Sequence, residues 1–307
     1  MLSPVVMKTH RLEPLLNPDS IAIVGASNNA ARIGGMPIAH LTKFGYQGQI
    51  YPINPKYEDV FGLRCFPDIE SLPQAPDLVV LAIAAADVLL MLQRCAAKGV
   101  RAVIVYAAGF AEEGAKGAAL QAELEAYVAT TDMVVAGPNL MGFANLNRQV
   151  HTNFASVFNT APMQTGQGSV SLLTQSGNVC AAVYAIARRL GVEFSHFINT
   201  GNEACVDFAQ YLDYMAQDAG TEVCMGYIEE LRDGPRFIAA AEAQGLPHAI
   251  VRRRIAHPGD LGALVGDDRI GAVLIGRHEG RGDAEVTIFD GTGVGLQDLA
   301  VAAAVVE

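Results

Sequence analysis

Short apolar runs rich in β-branched residues recur along the first half of the chain, and they alternate with segments long enough to form helices. The predicted strands are SIAIVGA, GQIYPINP, DLVVLAIA, RAVIVYAAG and DMVVAGPN. Strands that are apolar on both faces are typical of a parallel sheet covered by helices on each side. The pattern therefore predicts an α/β fold built on a parallel sheet that is buried on both faces.

A second, smaller α/β unit follows a polar, turn-prone stretch around residues 147–168. Its predicted strands are GSVSLLTQSGN, EFSHFINTGNEA and EVCMGYIEEL. After Pro247 the sequence becomes charged, glycine-rich and poorly periodic, and it closes with an apolar helix. We therefore expect domains at residues 1–147 and 148–247, followed by an atypical tail at residues 248–307.

The composition narrows the classes of partner. The net charge of −11 argues against non-specific nucleic-acid binding, which needs basic surface. No apolar run approaches the ~20 residues of a membrane helix, and the first residues are too polar for a signal peptide. The cysteines are odd in number and form no CxxC pair, so we expect reduced thiols in the cytoplasm and no metal site. They are Cys65, Cys95, Cys180, Cys205 and Cys224.

The first strand leads into a glycine turn, at GASNN, that is typical of phosphate-binding loops. Gly25 permits the tight turn, and the next helix begins shortly after it. The spacing is not GxGxxG, which weakens a nicotinamide dinucleotide interpretation. The backbone N–H groups expected to face an anion are those of Ala26, Ser27, Asn28 and Asn29.

The end of the second strand bears on which nucleotide this loop binds. A site for NAD needs an acidic residue there to hold the ribose hydroxyls. The sequence instead has Asn54, Pro55 and Lys56, and a lysine attracts a phosphate on the ribose. Coenzyme A and NADP both carry such a phosphate, so both stay open from spacing alone. The alternative is that Lys56 is a solvated turn residue.

A dense series of motifs gives the chain a family resemblance. Residues from about 20 to 233 resemble the NDP-forming acyl-CoA synthetases, which are relatives of the succinyl-CoA synthetase alpha subunit. The resemblance implies a Rossmann-like CoA-binding domain followed by a flavodoxin-like succinyl-CoA-ligase-type domain, with coenzyme A as the cofactor. The motifs, in order, are SIAIVGAS, IYPINPKYEDVFGLRCFPDIESLP, PDLVVLAIAA, IVYAAGFAEEG, GPNLMGFAN, LLTQSGN, TGNEACVDFAQYLDYMAQD and YIEELRDGPRF.

The resemblance also implies three contact regions along coenzyme A. The glycine loop meets the pyrophosphate, the end of the second strand holds the adenosine, and a later backbone stretch lines the path of the pantetheine arm. In the same order these are Gly25, Ala26, Ser27 and Asn28; Asn54, Pro55 and Lys56; and Tyr106, Ala107, Ala108 and Gly109.

In that family a carboxylate, coenzyme A and NTP interconvert with acyl-CoA, NDP and phosphate, through an acyl phosphate and a phosphohistidine. Ser176, Gly177 and Asn178 lie at a strand-to-helix turn that is suited to phosphate binding. The alternative is that Ser176 only caps the helix. Glu229 matches the glutamate that orients the phosphorylated histidine, and Glu230 would point the other way if the strand continues.

The resemblance places the carrier histidine near IAHPGDLGALVG, where His257 precedes GALVG. Pro258 follows directly and removes one N–H donor beside the proposed nucleophile. The competing interpretation is an ordinary loop histidine.

The tail is similar to a different family, the ornithine cyclodeaminases and mu-crystallins. This similarity covers about the last fifty residues and brings no catalytic group with it, so the chain looks like a junction of two coding segments near residues 247–260. The matching positions are Arg277, Glu285, Thr287, Phe289, Asp290, Gly293 and Asp298.

These observations favour one function and leave two others open. The favoured function is a CoA-binding alpha-type component of an NDP-forming acyl-CoA ligase that is incomplete on its own. A separate ATP-grasp beta-type subunit would then supply NTP and Mg²⁺, and the substrate would be a small carboxylic acid or its acyl-CoA. The alternatives are a CoA-binding module without activity and an NADP-dependent cyclodeaminase-like oxidoreductase. The apolar tail helix also favours self-association into a homo-oligomer.

Overall fold

The computed structural model describes residues 10–242, 248–253 and 286–291. Its helices are α1 Glu13–Leu16, α2 Met36–Lys43, α3 Ala85–Lys98, α4 Ala115–Val128, α5 Val157–Thr160, α6 Gly177–Arg189, α7 Phe208–Gln217 and α8 Gly234–Glu242. Its strands are β1 Ser20–Val24, β2 Gln49–Ile53, β3 Asp59–Val60, β4 Leu63–Arg64, β5 Leu78–Leu81, β6 Ala102–Val105, β7 Val134–Ala136, β8 Gly142–Asn145, β9 Val150–Asn153, β10 Val170–Thr174, β11 Phe194–Asn199, β12 Val223–Ile228, β13 His248–Arg253 and β14 Val286–Gly291.

The first sheet has the order β2-β1-β5-β6-β7, and all its strands are parallel. Its side chains alternate between two cores, as the period of a strand requires. Ala22 and Val24 of β1 pack into a core that contains residues of α3 and α4. Ile21 and Ile23 face the opposite core, which α1 and α2 cover. The predicted parallel sheet buried on both faces is confirmed.

The second sheet has the order β14-β13-β12-β10-β11-β8-β9. Strands β10 to β14 are parallel to their neighbours, whereas β8 and β9 form an antiparallel hairpin on β11. The sequence predicts β10, β11 and β12, but it assigns β13 and β14 to the atypical tail and much of this hairpin to a linker. The polar side chains at 147–153 favoured a loop, yet β9 is fully buried.

The division between the sheets falls within the predicted first domain. β7 ends at Ala136 and β8, which begins at Gly142, already pairs with the second sheet. The predicted domain boundaries at 147 and 247 stay predictions.

Two segments of the predicted tail, β13 and β14, belong to this sheet. β14 pairs in parallel with β13, from Val286 opposite His248 to Gly291 opposite Arg253. Of the tail positions named above, Thr287, Phe289 and Asp290 lie in β14. His257, Arg277, Glu285, Gly293 and Asp298 lie outside the described residues. Within the described ranges, none of the helices has the length and apolar character of a membrane span.

The two sheets share a core and a close loop contact. The core that covers one face of the first sheet extends to Phe208, Tyr211 and Leu212 of α7. Beside it, the N–H of Asn202 donates to the Pro138 carbonyl at 2.9 Å. A Cβ on Gly201 would lie 2.4 Å from that same carbonyl oxygen, so only glycine permits this approach.

A pair of glycine substitutions tests this contact. Gly201 and Gly191 both have positive φ, but a Cβ on Gly191 would meet no atom within 4 Å. We expect Gly191→Ala to lower the free energy of unfolding by about 1 kcal/mol, through backbone strain alone. Gly201→Ala should lose about 2 kcal/mol more, because of the clash with the Pro138 loop. Urea unfolding of both variants measures the difference, and equal losses would contradict the proposed contact.

Candidate functional site

Two clusters of polar residues lie at the carboxyl ends of the parallel strands, which is where ligands bind in open α/β sheets. The first follows β1, β2 and β6 and contains the predicted coenzyme A residues. The second follows β10, β11 and β12 and contains the predicted phosphate-binding residues and Glu229.

In the first cluster, the glycine turn is tightly folded upon itself. Gly25 has a φ of 84°, and a Cβ there would lie 2.3 Å from the Ala82 carbonyl oxygen. The N–H of Ala26 donates to Ile53, that of Ser27 to Gly34, and that of Asn29 to the Ser27 hydroxyl. Three of the four N–H groups expected to face an anion are therefore satisfied within the protein.

The predicted adenosine-binding residues join the same loop. The Asn54 amide donates to the Ala26 carbonyl at 2.7 Å, and its oxygen accepts from the N–H of Lys56 at 2.9 Å. Asn28 in turn holds the β3–β4 hairpin by accepting from the N–H of Phe61 at 2.8 Å. Pro55 and the Lys56 side chain are exposed beside this loop. The two predicted contact regions thus form one rim.

The third predicted region follows β6. Tyr106 is buried against Phe154, with ring centroids 4.9 Å apart, and within the described residues its hydroxyl has no hydrogen-bond partner. The Ala107 carbonyl accepts from Asn139, and Ala108 is exposed. Gly109, at a φ of 103°, donates its N–H to Glu112 at 2.6 Å.

The second cluster surrounds a cavity of about 340 Å³ between the two sheets. The Gln175 side chain organises it. Its oxygen accepts from the N–H groups of Glu229 and Glu230 at 2.6 and 2.9 Å, and its nitrogen donates to Glu203 at 2.9 Å. Gln175 therefore connects the end of β10 to the end of β12.

Glu229 and Glu230 both line this cavity. The sequence predicts that the Glu229 and Glu230 side chains point in opposite directions if β12 continues through them. β12 ends at Ile228, so strand alternation does not apply to either residue. Glu229 is half-buried and Glu230 is exposed.

The predicted phosphate-binding turn precedes helix α6. Ser176 is the N-cap, and its hydroxyl accepts from the N–H of Val179 at 3.5 Å. Capping is thus present, and phosphate binding by Ser176, Gly177 and Asn178 stays a prediction. Asn199 from β11 supports the turn by donating to the carbonyls of Thr174 and Gln175, each at 3.0 Å.

Glu203 is a further candidate, and sequence reasoning did not single it out. It is 3% exposed, and it accepts from the Thr200 hydroxyl at 2.7 Å and the Phe208 N–H at 3.2 Å, besides Gln175. Burial raises the pKa of Glu203 to about 7, although these hydrogen bonds oppose the shift. TGNEA contains it, but nothing in that motif indicates that its carboxyl group is buried.

Glu112 lies on the opposite wall of the cavity and was missed for the same reason. Its carboxylate accepts from Asn202 and from the N–H groups of Gly109 and Phe110. Burial alone would raise the pKa of Glu112, but these hydrogen bonds lower it overall. Glu112, in the connection between β6 and α4, thereby holds the loop that follows β11.

The cavity is acidic overall. Glu112, Glu203, Glu229 and Glu230 line it, and among its lining residues Arg232 alone carries a basic side chain. Arg232 is itself paired with Glu125 at 3.3 Å. Such a cavity favours a cationic or protonated group over a free anion. Within the described residues, no group of three or more His, Cys, Asp and Glu side chains is arranged to hold a metal ion.

Comparison with known proteins identifies both parts of the chain. The family described as "CoA binding domain" matches residues 19–145, and the family described as "Succinyl-CoA ligase like flavodoxin domain" matches residues 167–252. The chain is therefore an α/β protein with a CoA-binding domain and a succinyl-CoA ligase-like domain, in that order.

Individual relatives agree with this assignment. Trans-feruloyl-CoA synthase FCS1, from an unknown prokaryotic organism, is 34% identical over 81% of this chain and 35% of its own length. Acetate–CoA ligase (ADP-forming) II subunit alpha of Pyrococcus furiosus is 31% identical over 75% of this chain and 49% of its own.

A solved structure gives the same result. The dinucleotide-forming acetyl-coenzyme A synthetase 1 of Ca. Korarchaeum cryptofilum, in complex with phosphate and ADP, has a TM-score of 0.72 and 30% identity. The match covers 78% of this chain and 51% of that one. In both of its domains the chain is therefore similar to ADP-forming acetate–CoA ligases and their alpha subunits. It spans about a third of the length of the first curated relatives that it matches.

A shorter match concerns another class of enzyme. Over 47 residues, 14% of this chain, the sequence is 70% identical to iminosuccinate reductase of Paracoccus denitrificans. The expected junction of two coding segments near residues 247–260 stays a prediction.

The raised pKa of Glu203 predicts a dependence of stability on pH. The carboxyl group of Glu203 holds its proton more tightly in the folded state than in the unfolded state, where its pKa is near 4.5. Its contribution to the free energy of unfolding is therefore fully present below pH 4.5 and is lost as the pH rises to about 7. We therefore expect the unfolding free energy of Glu203→Gln, relative to the unmodified chain, to rise with pH. The slope should approach about 1.4 kcal/mol per pH unit inside that window.

Urea unfolding at pH 5, 6, 7 and 8 measures this slope. Glu230→Gln, on the exposed side of the same cavity, is the matched control. A slope for Glu203→Gln no larger than that of the control would show that Glu203 keeps its charge in the folded state.

Proposed function

We propose that this chain is the coenzyme A-binding, alpha-type component of an NDP-forming acyl-CoA ligase. The observation that supports it most directly is the order of the two domains, together with a cavity that Gln175 and Glu229 line with Glu112 of the CoA-binding domain. The activity, the acyl group and the partner are part of this proposal, because the chain spans only part of its relatives.

A separate ATP-grasp subunit would supply NTP and Mg²⁺. One relative is an alpha subunit by name, which supports a division of the activity between two chains. The acidic lining of the cavity also fits this arrangement. Transfer of a phosphoryl group needs positive potential, and the described side chains of the cavity carry more negative than positive charge, so the Mg²⁺ of the partner subunit would supply it.

Coenzyme A would bind along the rim of the first domain. Gly25, where a Cβ would strike Ala82, lets the turn stay close to the strand. Lys56 would face the 3′-phosphate, since its side chain is exposed beside Asn54 and its backbone is fixed by that residue. The backbone of residues 106–109 would guide the pantetheine arm toward the loop that holds Glu112.

The second domain would handle the phosphoryl group. In this proposal His257 takes the phosphoryl group from NTP, which leaves as NDP, and passes it to the carboxylate substrate to form an acyl phosphate. The thiol of coenzyme A then attacks the acyl carbon, forms the thioester and releases the thiol proton and inorganic phosphate. The N–H groups at Ser176–Asn178, at the positive end of α6, would neutralise the transferred group. Glu229, fixed through its backbone by Gln175, would hold the imidazole of His257 and support its positive charge.

The position of β13 supports a role for His257, which itself lies outside the described residues. Arg252 pairs with Ile228, so β13 ends at the same edge of the sheet as Glu229. His257 follows Arg253 by four residues, a span of at most about 14 Å.

Calorimetry with four nucleotides tests the coenzyme A site. We expect binding of coenzyme A, a clear loss with dephospho-coenzyme A, and little binding of NAD. Lys56→Ala should weaken coenzyme A about tenfold, equivalent to 1.4 kcal/mol, and leave dephospho-coenzyme A within about twofold. Lys116→Ala, another exposed lysine of the same domain, is the control. Binding of NADP in preference to coenzyme A would favour the oxidoreductase alternative instead.

Phosphorylation tests the transfer step. With an ATP-grasp partner and radiolabelled NTP, we expect an acid-labile phosphohistidine that His257→Asn abolishes. Glu229→Gln should reduce labelling at least about tenfold, because the imidazolium loses its counter-charge. Glu230→Gln should change it by less than about twofold. Unlabelled protein that still binds coenzyme A would identify a CoA-binding module without activity.

A further inference from the structure

A second cavity, of about 370 Å³, lies at the opposite end of the second sheet from Glu229. It is bounded by the β8–β9 turn and by the segment 161–167, which runs just ahead of β10. Its volume is in the range of small-molecule sites. The proposed function uses none of its lining residues.

The wall formed by 161–167 is held rigidly by buried contacts. Arg188 lies in α6 and is 4% exposed. Its guanidinium donates to the carbonyls of Pro162 and Met163 at 3.2 and 2.9 Å. The Gln164 amide pairs with the backbone of Phe194, as donor and as acceptor, at 2.8 Å in each direction. The cavity is thus shaped by the protein before any ligand arrives, which lowers the cost of binding.

Aromatic rings form much of the inner lining. Phe44 stacks on His151 with ring centroids 4.1 Å apart, and Phe158 meets the edge of the same imidazole at 5.0 Å. Tyr184 lies against Phe158 at 4.8 Å. Planar rings arranged in this way offer flat and edge contacts to a further ring.

His151 is the polar group in this aromatic lining that lacks a partner. It is 3% exposed, and its Nδ1 has no hydrogen-bond partner among the described residues. A buried polar atom without a partner costs free energy. Nδ1 is closed to solvent in this structure, so a ligand would recover that cost by hydrogen-bonding to the imidazole once the ring turns Nδ1 toward the cavity. Burial, with smaller contributions from His40 and Lys43, lowers the pKa of His151 to about 3, so the ring is neutral at physiological pH.

The cavity carries no net charge toward a ligand. Besides His151, its lining residues are apolar or have uncharged side chains, including Gln149, Gln164 and Gln167. The nearby Lys43 ammonium is occupied by the Phe158 carbonyl and the Asn159 side chain. Phosphates and carboxylates would therefore lose their hydration there without gaining a counter-charge.

We propose that this cavity binds an uncharged, planar molecule about one ring in size, with an amide or hydroxyl group that hydrogen-bonds to the His151 imidazole. Aromatic rings would pack around the planar body of the ligand, and Gln149, Gln164 and Gln167 would hydrogen-bond to its polar groups. This site is separate from coenzyme A and from the acidic cavity.

Methyl NMR on the full chain tests this proposal with two probes of nearly identical shape, benzamide and benzoate. Met163 lines the cavity and is 63% exposed, so its labelled methyl group reports occupancy. Met141, which lies beside the position that a Cβ on Gly177 would occupy at the other end of the sheet, is the internal reference. We expect benzamide to shift Met163 and not Met141, with a Kd of about 1 mM, and benzoate to bind at least about tenfold more weakly.

Two variants complete the test. His151→Phe keeps a ring against Phe44 but removes the hydrogen-bond partner, and it should weaken benzamide at least about fivefold. Ala161→Phe, at the edge of the cavity, should fill the space and abolish binding even if His151→Phe does not fold. The proposal is overturned by equal binding of both probes, by no shift of Met163 at about 10 mM, or by benzamide binding that survives both substitutions.

Discussion

The close approach of two loops governs how the halves of this molecule work together. A Cβ on Gly201 would clash with the Pro138 carbonyl. Asn202 donates its backbone N–H to Pro138, in the loop after β7, and its amide to Glu112, in the connection after β6. Because the same loop carries Glu203, the contact also fixes a carboxyl group at the floor of the acidic cavity. The packing of the two domains against each other therefore also sets the position of Glu203 in the cavity.

From that loop, hydrogen bonds reach the predicted catalytic position without a break. Glu203 holds Gln175, and Gln175 holds the backbone of Glu229 and Glu230. Each link joins the end of a different strand, so the position of Glu229 depends on β10, β11 and β12 together. A glutamate fixed in this way loses little entropy when it meets a partner imidazole, which is how preorganised sites favour reaction.

Much of the fold was predictable, because runs such as DLVVLAIA report burial on both faces directly. The β8–β9 hairpin was not: residues such as His151 and Asn153 are polar, and only tertiary pairing with β11 buries them. The site shows the same contrast. Glu229 and the TQSGN turn were singled out through the family resemblance, and their roles stay predictions. Glu203 and Glu112 acquire their environments from residues distant in sequence. Burial of a polar side chain is a property of the whole fold.

The hairpin that leaves the first domain to join the second sheet makes the two halves hard to separate. A fragment that stops at residue 147 would carry β8 with no neighbour to receive its hydrogen bonds, and one that starts at 148 would expose β9 as a solitary ribbon. Either fragment would expose unpaired backbone N–H and C=O groups of a strand edge, which favour aggregation. A cut beyond β13 would remove β14 and expose one strand edge, whereas a cut at residue 147 would leave both β8 and β9 without their partner in the hairpin.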